Sequence, residues 1–389
     1  MTAAVAFWLA GALLAYTWIG YPLLLWLLRR AGLGATGTAP RARWPRLSIV
    51  VAAFNEAHCI REKIDTTLSQ ASRHPGLEII VVSDGSTDAT DAIVAGHPDP
   101  RVRLIRQEPR AGKSPALNRG AAAARGELLV FTDANAMFAR DALARLAAPF
   151  ADPRVGLVTG QGLYAAAAGD ARAVSGGYVR YEALLRSGES ALGFQASADG
   201  AIYALRRGLY RELRAAEVND LLHPIQAALD GFTSRFEPDA YTVEPPSRDG
   251  GQEFRRHVRI AAQGMHLLRH WLPPLIAARR WRAVWMLLSH RALRWTTAPA
   301  LAVLLAANLL SLDRGPLPTL TLLGQGAFYA LALAGWAAER AGRRLGRLAI
   351  PYYFCLVAAA GAAGFYRVLR GGAQPMWAPA GVRVTERAA

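Results

Sequence analysis

Cysteine is nearly missing from this chain of 389 residues, which has only Cys59 and Cys355. Two thiols make no disulfide framework, and the count is read as excluding metal ligation by cysteine. The scarcity fits a reducing, cytosolic main domain. Acidic residues are also few: 29 Asp and Glu stand against 45 Lys and Arg, a formal charge of +16. An anionic partner is implied, which leaves nucleic acid, anionic lipid or small anionic substrates. Zinc-finger spacing, a recognition-helix pattern and a basic-aromatic ribonucleoprotein motif are all missing, so no nucleic acid partner is expected. There is no G-x-x-x-x-G-K-[ST] loop, which argues against a P-loop kinase or ATPase. Internal repeats and long low-complexity tracts are absent too.

Apolar residues are plentiful, at 52% with a mean hydropathy of +0.14. In so charged a chain the two kinds must be segregated. Residues 3 to 28 carry no charge, long enough to cross roughly 30 Å of hydrocarbon. No basic start precedes this run, and Arg29 and Arg30 come directly after it, which reads as an uncleaved anchor over 1–30 rather than a signal peptide. Arg41, Arg43 and Arg46 add to the positive flank and assign the next domain to the cytosol. Toward the other end, 265–295 mixes Trp271, Trp281, Trp285 and Trp295 with Arg and His, the texture of interfacial amphipathic helices. Apolar spans near 296–312, 318–338 and 348–367 make up a C-terminal membrane region over 296–369, and a basic tail fills 370–389. Three full crossings would leave that tail on the wrong side, so a re-entrant span stays open.

The middle, 47–264, alternates short β-branched runs with helical stretches. The runs are 47–53, 78–83, 102–106 and 127–132, and the helices lie near 56–72, 88–95 and 113–125. This pattern predicts an α/β domain with a doubly wound parallel sheet and ligands beyond the strands' C-terminal ends.

Chemistry-bearing residues gather at those ends. Phe54-Asn55-Glu56 comes after the first run, where an acid also suits a helix start. Ser83-Asp84-Gly85-Ser86-Thr87-Asp88 comes after the second, where Asp and Ser can cap a helix or bond a nucleotide's base or ribose. Lys113 stands at a helix start, a place that attracts diphosphate, although a solvated basic loop would look the same. Asp133 and Asn135 come after the apolar run ELLVF, and two oxygen-bearing side chains one residue apart can share Mg or Mn. An Asx turn explains the Asn but not a carboxylate closing a buried strand. Asp199 to Arg207 reads as a strand with a Gly-bearing approach and a basic end. Asp220 near a helix start is either a favourable dipole partner or a general base, and His223 beside Pro224 reads as structural. The Arg cluster at 255–259 suits either a diphosphate or lipid phosphates.

In order and spacing these pieces resemble glycosyltransferase family 2, the inverting GT-A enzymes. Within it the chain looks like the membrane-integrated members related to cellulose, hyaluronan and poly-N-acetylglucosamine synthases. The resemblance covers roughly residues 47–265. It implies a GT-A, Rossmann-like nucleotide-diphospho-sugar domain flanked by transmembrane helices. Phe54, Glu56, Asp84 and Gly85 would line the nucleotide pocket, and Lys113 would meet the diphosphate. Asp133 and Asn135 would hold the metal in a D-x-D motif whose last acid is Asn. Asp220 would be the catalytic base, preceded by Asn219 where the family usually has Glu. Arg256 and Arg259 fall in the register of the Q-x-x-R-W motif, whose Trp is missing, and Gln252 with Arg255-Arg256 is a second register. The implied function is transfer of a sugar from a nucleotide sugar, a UDP-sugar by analogy, to a lipid-linked or glycan acceptor at the cytosolic face of the bilayer. Asn135 and Asn219 keep open a non-catalytic assembly subunit with a degenerate fold. A nucleotidyltransferase fits poorly, lacking its Gly-rich phosphate loop and having no use for membrane spans.

Overall fold

The computed structural model describes residues 2–32, 45–70, 76–164, 171–245, 250–312 and 315–371. Most of the Pro/Arg linker before residue 45 and the basic tail beyond 371 lie outside the described residues. The chain forms two compact units. Of the described residues, one holds those within 1–35, 164–196 and 246–373, and the other those within 36–163 and 197–245. This differs from the expected boundaries of 47–264, because 164–196 and 246–264 belong with the helical unit. Residues 250–264 and 265–277 form one continuous helix, Gly250–Ala277, so no boundary falls at 265.

The sheet unit is built on β1 (Leu47–Ala53), β2 (Glu78–Asp84), β3 (Val102–Gln107), β4 (Leu128–Asp133), β5 (Met137–Phe138), β6 (Val155–Tyr164), β7 (Tyr203–Arg206) and β8 (Thr233–Glu244). Their order across one sheet is β3-β2-β1-β4-β7-β6-β8-β5. From β3 to β4 the pairs are parallel, as expected. Beyond β4 the sheet turns antiparallel, at β4–β7, β7–β6 and β8–β5, which corrects the wholly parallel expectation. β1 is buried along its whole length, as a central strand covered on both faces must be. Its side chains Ile49 and Val51 join Ile79, Val81, Val130 and Ile202 in one continuous core.

Among the described residues of the helical unit, three helices are long and apolar enough to cross a membrane: Ala3–Arg30, Pro316–Arg340 and Gly346–Leu369. The expected span near 296–312 is a shorter helix, Thr297–Leu309, bent by 59° from Trp281–Trp295. Exposed Trp8, Leu9, Leu320, Leu323 and Leu333 give these helices apolar outer faces. The helix Ala171–Ala191, which the sequence pattern does not announce, carries two buried acids. Glu189 accepts from Tyr21 Oη at 2.7 Å and meets His290 Nδ1 at 2.7 Å, while His290 Nε2 lies 3.2 Å from Glu182. Arg294 completes the group on Glu182. Each buried carboxylate therefore has a cationic or hydroxyl partner, the condition for burying it at all.

Candidate active site

In the sheet unit the strand-end loops converge and lace together. After β1, Asn55 takes a positive φ of 56°. Its backbone N–H reaches Ser86 Oγ at 3.2 Å, and its Oδ1 accepts from the Thr87 N–H at 2.8 Å. Glu56 N–H donates to Thr90 Oγ1 at 2.9 Å. These ties hold 54–59 as a loop, so the helix starts at Ile60 and not at the expected 56.

Asp84 closes β2 and is 1% exposed. Its carboxylate accepts from Gln107 Nε2 at 2.6 Å and from the backbone N–H groups of Ala111 and Gly112 at 2.8 and 2.9 Å. The side chain is thus turned to its own protein, holding the loop that enters the helix Lys113–Ala123. Arg110 in that loop lies 3.5 Å from Asp84 and lays its guanidinium over the Phe54 ring, 3.6 Å from the centroid. Gly85 comes next with φ +70°, a conformation that needs glycine, and a Cβ there would sit 3.3 Å from Arg110 Cβ.

At the end of β4, Asp133 and Asn135 are half-buried while Ala134 and Ala136 are buried, so the two oxygen-bearing side chains share the outer side. Lys113 Nζ bonds Asp133 Oδ1 at 2.6 Å. Carboxylate and amide oxygens are the donors a hard divalent cation takes, and their alternate placement on one loop suits it.

Beneath this loop sits Lys63, which sequence reasoning missed. It is 1% exposed. Nζ donates to Thr132 Oγ1 at 2.7 Å and to the Ala136 carbonyl, and it lies 3.7 Å from the Phe138 ring centroid. Burial pushes the ammonium down to about 7, against the pull of Asp133 and Glu244. Thr132 Oγ1 in turn donates to the Ala201 carbonyl at 2.7 Å, tying the Asp133 loop to the Asp199–Ala201 turn.

That turn faces Asp220. A Cβ on Gly200 would stand 3.1 Å from Asp220 Oδ2, so only glycine lets the turn approach without crowding. The Ala198 N–H bonds the Asp220 carbonyl at 2.7 Å. Asp220 lies in the first turn of the helix Asn219–Leu229. Its approach segment is fixed by Ser114 and Asn118 of the Lys113 helix, through Glu217 O at 2.7 Å, Leu213 O at 2.8 Å and the Tyr210 hydroxyl at 2.6 Å. His223 is fully buried, and burial pushes it down to about 3, so it is neutral.

The structure thus gathers Phe54, Glu56, Asp84, Gly85, Lys113, Asp133, Asn135 and Asp220 in the sheet unit, at the strand ends and the loops tied to them. Arg256 and Arg259 belong to the other unit, on the helix Gly250–Ala277. There Arg256 reaches Tyr164 Oη and Glu253.

A family model for glycosyl transferase family 2 matches residues 48–200. The succinoglycan biosynthesis protein ExoO of Rhizobium meliloti is 41% identical over 102 residues, 26% of this chain and 29% of that protein. The dolichyl-phosphate beta-glucosyltransferase ALG5C of Trichomonas vaginalis is 38% identical over 96 residues, 23% of this chain and 28% of that one. The chain therefore spans under a third of the length of these curated relatives. Among solved structures, the mannosyltransferase PcManGT from Pyrobaculum calidifontis, in complex with GDP-Man and Mn2+, superposes with a TM-score of 0.70 at 27% identity. The match covers 94% of this chain and 99% of that one. The matched segment starts at β1 and contains the Asp84, Lys113 and Asp133 loops, and over these residues the chain carries a glycosyl transferase family 2 domain of GT-A type.

Proposed function

We propose that the protein is a membrane-bound inverting glycosyltransferase that moves a sugar from a nucleoside diphosphate sugar to a lipid-linked or glycan acceptor at the cytosolic membrane face. The observation that carries this reading is the Thr132–Ala201 bond, which joins the Asp133 loop to the turn under Asp220. A carboxylate suited to metal and diphosphate and a carboxylate suited to an acceptor hydroxyl then belong to one braced assembly. The neighbouring mannosyltransferase, solved with GDP-Man and Mn2+, supports the donor class and the divalent ion.

In this mechanism Phe54 and Glu56 flank the nucleoside, with Asp84 and Gly85 shaping the pocket wall through the Arg110 loop. Asp133 and Asn135 hold Mn or Mg, which when bound offsets the charge of the departing diphosphate. Lys113, now on Asp133, turns its ammonium to the diphosphate when the donor arrives. Arg256 and Arg259, on the helical unit, supply positive charge to lipid phosphates. Asp220 accepts the proton of the acceptor hydroxyl as its oxygen attacks the anomeric carbon. The bond from that carbon to the diphosphate breaks in line, which inverts the configuration. The anchor and the apolar helices of the other unit keep the chain at the bilayer, where a lipid-linked acceptor is presented. Single transfer is at least as compatible as polymerisation, because the Q-x-x-R-W register lacks its Trp.

The test is release of UDP or GDP from a panel of UDP- and GDP-sugars by the detergent-purified chain, with membrane lipid extract as acceptor and Mn, Mg or EDTA present. Asp220→Asn should cut transfer by about 10² to 10⁴ while nucleotide binding stays near wild type. Equal loss of nucleotide binding and turnover would remove Asp220 from the base role. No metal-dependent binding of any donor would overturn the enzyme reading.

A further inference from the structure

The loop after β1 holds a second group of metal-ligand atoms, distinct from Asp133 and Asn135. A Glu56 carboxylate oxygen, a His58 ring nitrogen and Cys59 Sγ all lie within 4.8 Å of one another. We propose that these three side chains bind a thiophilic divalent cation, of which zinc is the type, and that an ion held there closes the donor pocket. The scarcity of cysteine excludes a multi-cysteine finger, but it does not exclude one thiolate beside His and Glu, a mixed donor set that suits zinc.

Tetrahedral zinc, with bonds of about 2.0 to 2.3 Å, separates its ligand atoms by about 3.3 to 3.5 Å. Cys59 Sγ already lies 3.3 Å from Glu56 Oε2. His58 Nε2 is 3.9 Å from that same oxygen, and its side chain is 65% exposed. The exposed imidazole is the ligand that moves, by roughly half an ångström or more, while the other two ligands are held by burial, Glu56 at 7% and Cys59 at 8% exposure. The ion enters from the solvent side, past His58, and a water completes the shell.

Charge favours a cation here. The Glu56 carboxylate is buried, and among the described residues its one side-chain hydrogen-bond donor is a thiol. Asp88 and Asp133 add negative charge nearby. Burial, followed by the Glu56 charge, pushes the Cys59 thiol up, so the apo site holds S–H. Metal binding forms the sulfur–metal bond and releases that proton to water, so binding weakens as pH falls.

The closing effect rests on the reading of Glu56 as part of the donor pocket, whereas the site itself does not. Cobalt is the probe for the full-length protein in detergent, because thiolate–cobalt bonding gives a near-ultraviolet charge-transfer band that oxygen ligands do not give. With only Cys59 and Cys355 in the chain, the source of the band can be assigned. The wild type and Cys355→Ser should both show it, saturating at one cobalt per chain and displaced by zinc. Cys59→Ser should abolish it, and His58→Ala should weaken cobalt binding by about tenfold or more. Absence of the band in wild type, or its survival in Cys59→Ser, overturns the site. Zinc should then inhibit Mn-dependent nucleotide release in wild type but not in Cys59→Ser, and a chelator should reverse it. A cobalt band in a protein that releases no nucleotide would keep the site and sink the donor-pocket reading. A band together with zinc-insensitive release would overturn the closing effect alone.

Discussion

Lys63→Met removes a charge from the centre of the sheet unit and should change stability and activity in opposite directions. The fall of the ammonium from 10.5 to about 7 is, at about 1.4 kcal/mol per pH unit, a cost of about 5 kcal/mol for keeping it protonated in the core. Met fills a similar volume and carries no charge. It does abandon the Ala136 carbonyl, at about 1 to 3 kcal/mol. Near pH 6, where folded and unfolded lysine are both protonated, the variant should be more stable by about 3 kcal/mol. Between pH 7 and 10.5 the unfolded chain holds a proton that the folded chain has released, so wild-type stability rises with pH through that window. The two melting curves should therefore cross, with the variant less stable by about 2 kcal/mol near pH 10.5. Tryptophan-fluorescence melting of both proteins in detergent from about pH 6 to 10.5 reads this directly. Over the same range Mn-dependent donor binding should fall in the variant, because the clamp from Lys63 to Thr132 and Ala136 holds the Asp133 loop. A variant less stable by the same amount at every pH would refute the argument, since that is the signature of lost packing without a buried charge.

Gly200→Ala places a methyl 3.1 Å from Asp220 Oδ2 and should lower kcat with little effect on donor binding, in steady-state kinetics with donor varied. A rise in donor KM at constant kcat would count against the placement of Asp220 beside the acceptor. Asn135→Asp restores a second carboxylate and should tighten Mn binding, measured by the Mn concentration that half-saturates nucleotide release. An unchanged value would remove residue 135 from the ion's shell. His223 is held neutral by burial, so its contribution to stability is complete above pH 6.5 and is lost as pH falls from 6.5 toward 3. His223→Gln should flatten the acid side of the melting profile, up to about 1.4 kcal/mol per pH unit. An identical acid limb would refute the assignment.

The parallel half of the fold was legible because β1, β2, β3 and β4 are short apolar runs that end in polar residues at the site. Of the antiparallel half, β7 was read as a strand over Asp199–Arg207, and the rest was not. β8 is half-exposed and carries Glu237-Pro238-Asp239, which breaks the pattern a strand advertises. The helix Ala171–Ala191 was hidden by its polarity: Glu182 and Glu189 look solvent-facing until His290 and Arg294 arrive from about a hundred residues away. Lys63 was invisible for the same reason, since its partners Thr132 and Ala136 lie 69 and 73 residues on. A lone lysine in a helix reads as surface, because lysine is almost never fully buried. Asp84 was placed correctly at its strand end, but its direction depends on loop 107–112, whose main-chain donors no motif encodes.

Asn219 gives the site its last constraint. Family resemblance reads it as a replaced Glu, and the structure buries its side chain. Nδ2 donates to Tyr203 Oη at 2.6 Å, and that hydroxyl lies 2.9 Å from His223 Nδ1. With His223 neutral, Nδ1 is free to accept, so Tyr203 accepts from the amide and donates to the imidazole, and the three polarities agree. A carboxylate at 219 would claim the Tyr203 proton and leave Nδ1 without its donor, forcing the ring to change tautomer inside a wall of Phe131, Tyr203 and Tyr210. Asn219 and neutral His223 are therefore one solution, and the substitution belongs to the core behind the helix start. It also leaves Asp220 as the sole carboxylate in the first turn of that helix, so under the proposed base role no neighbouring acid competes with it.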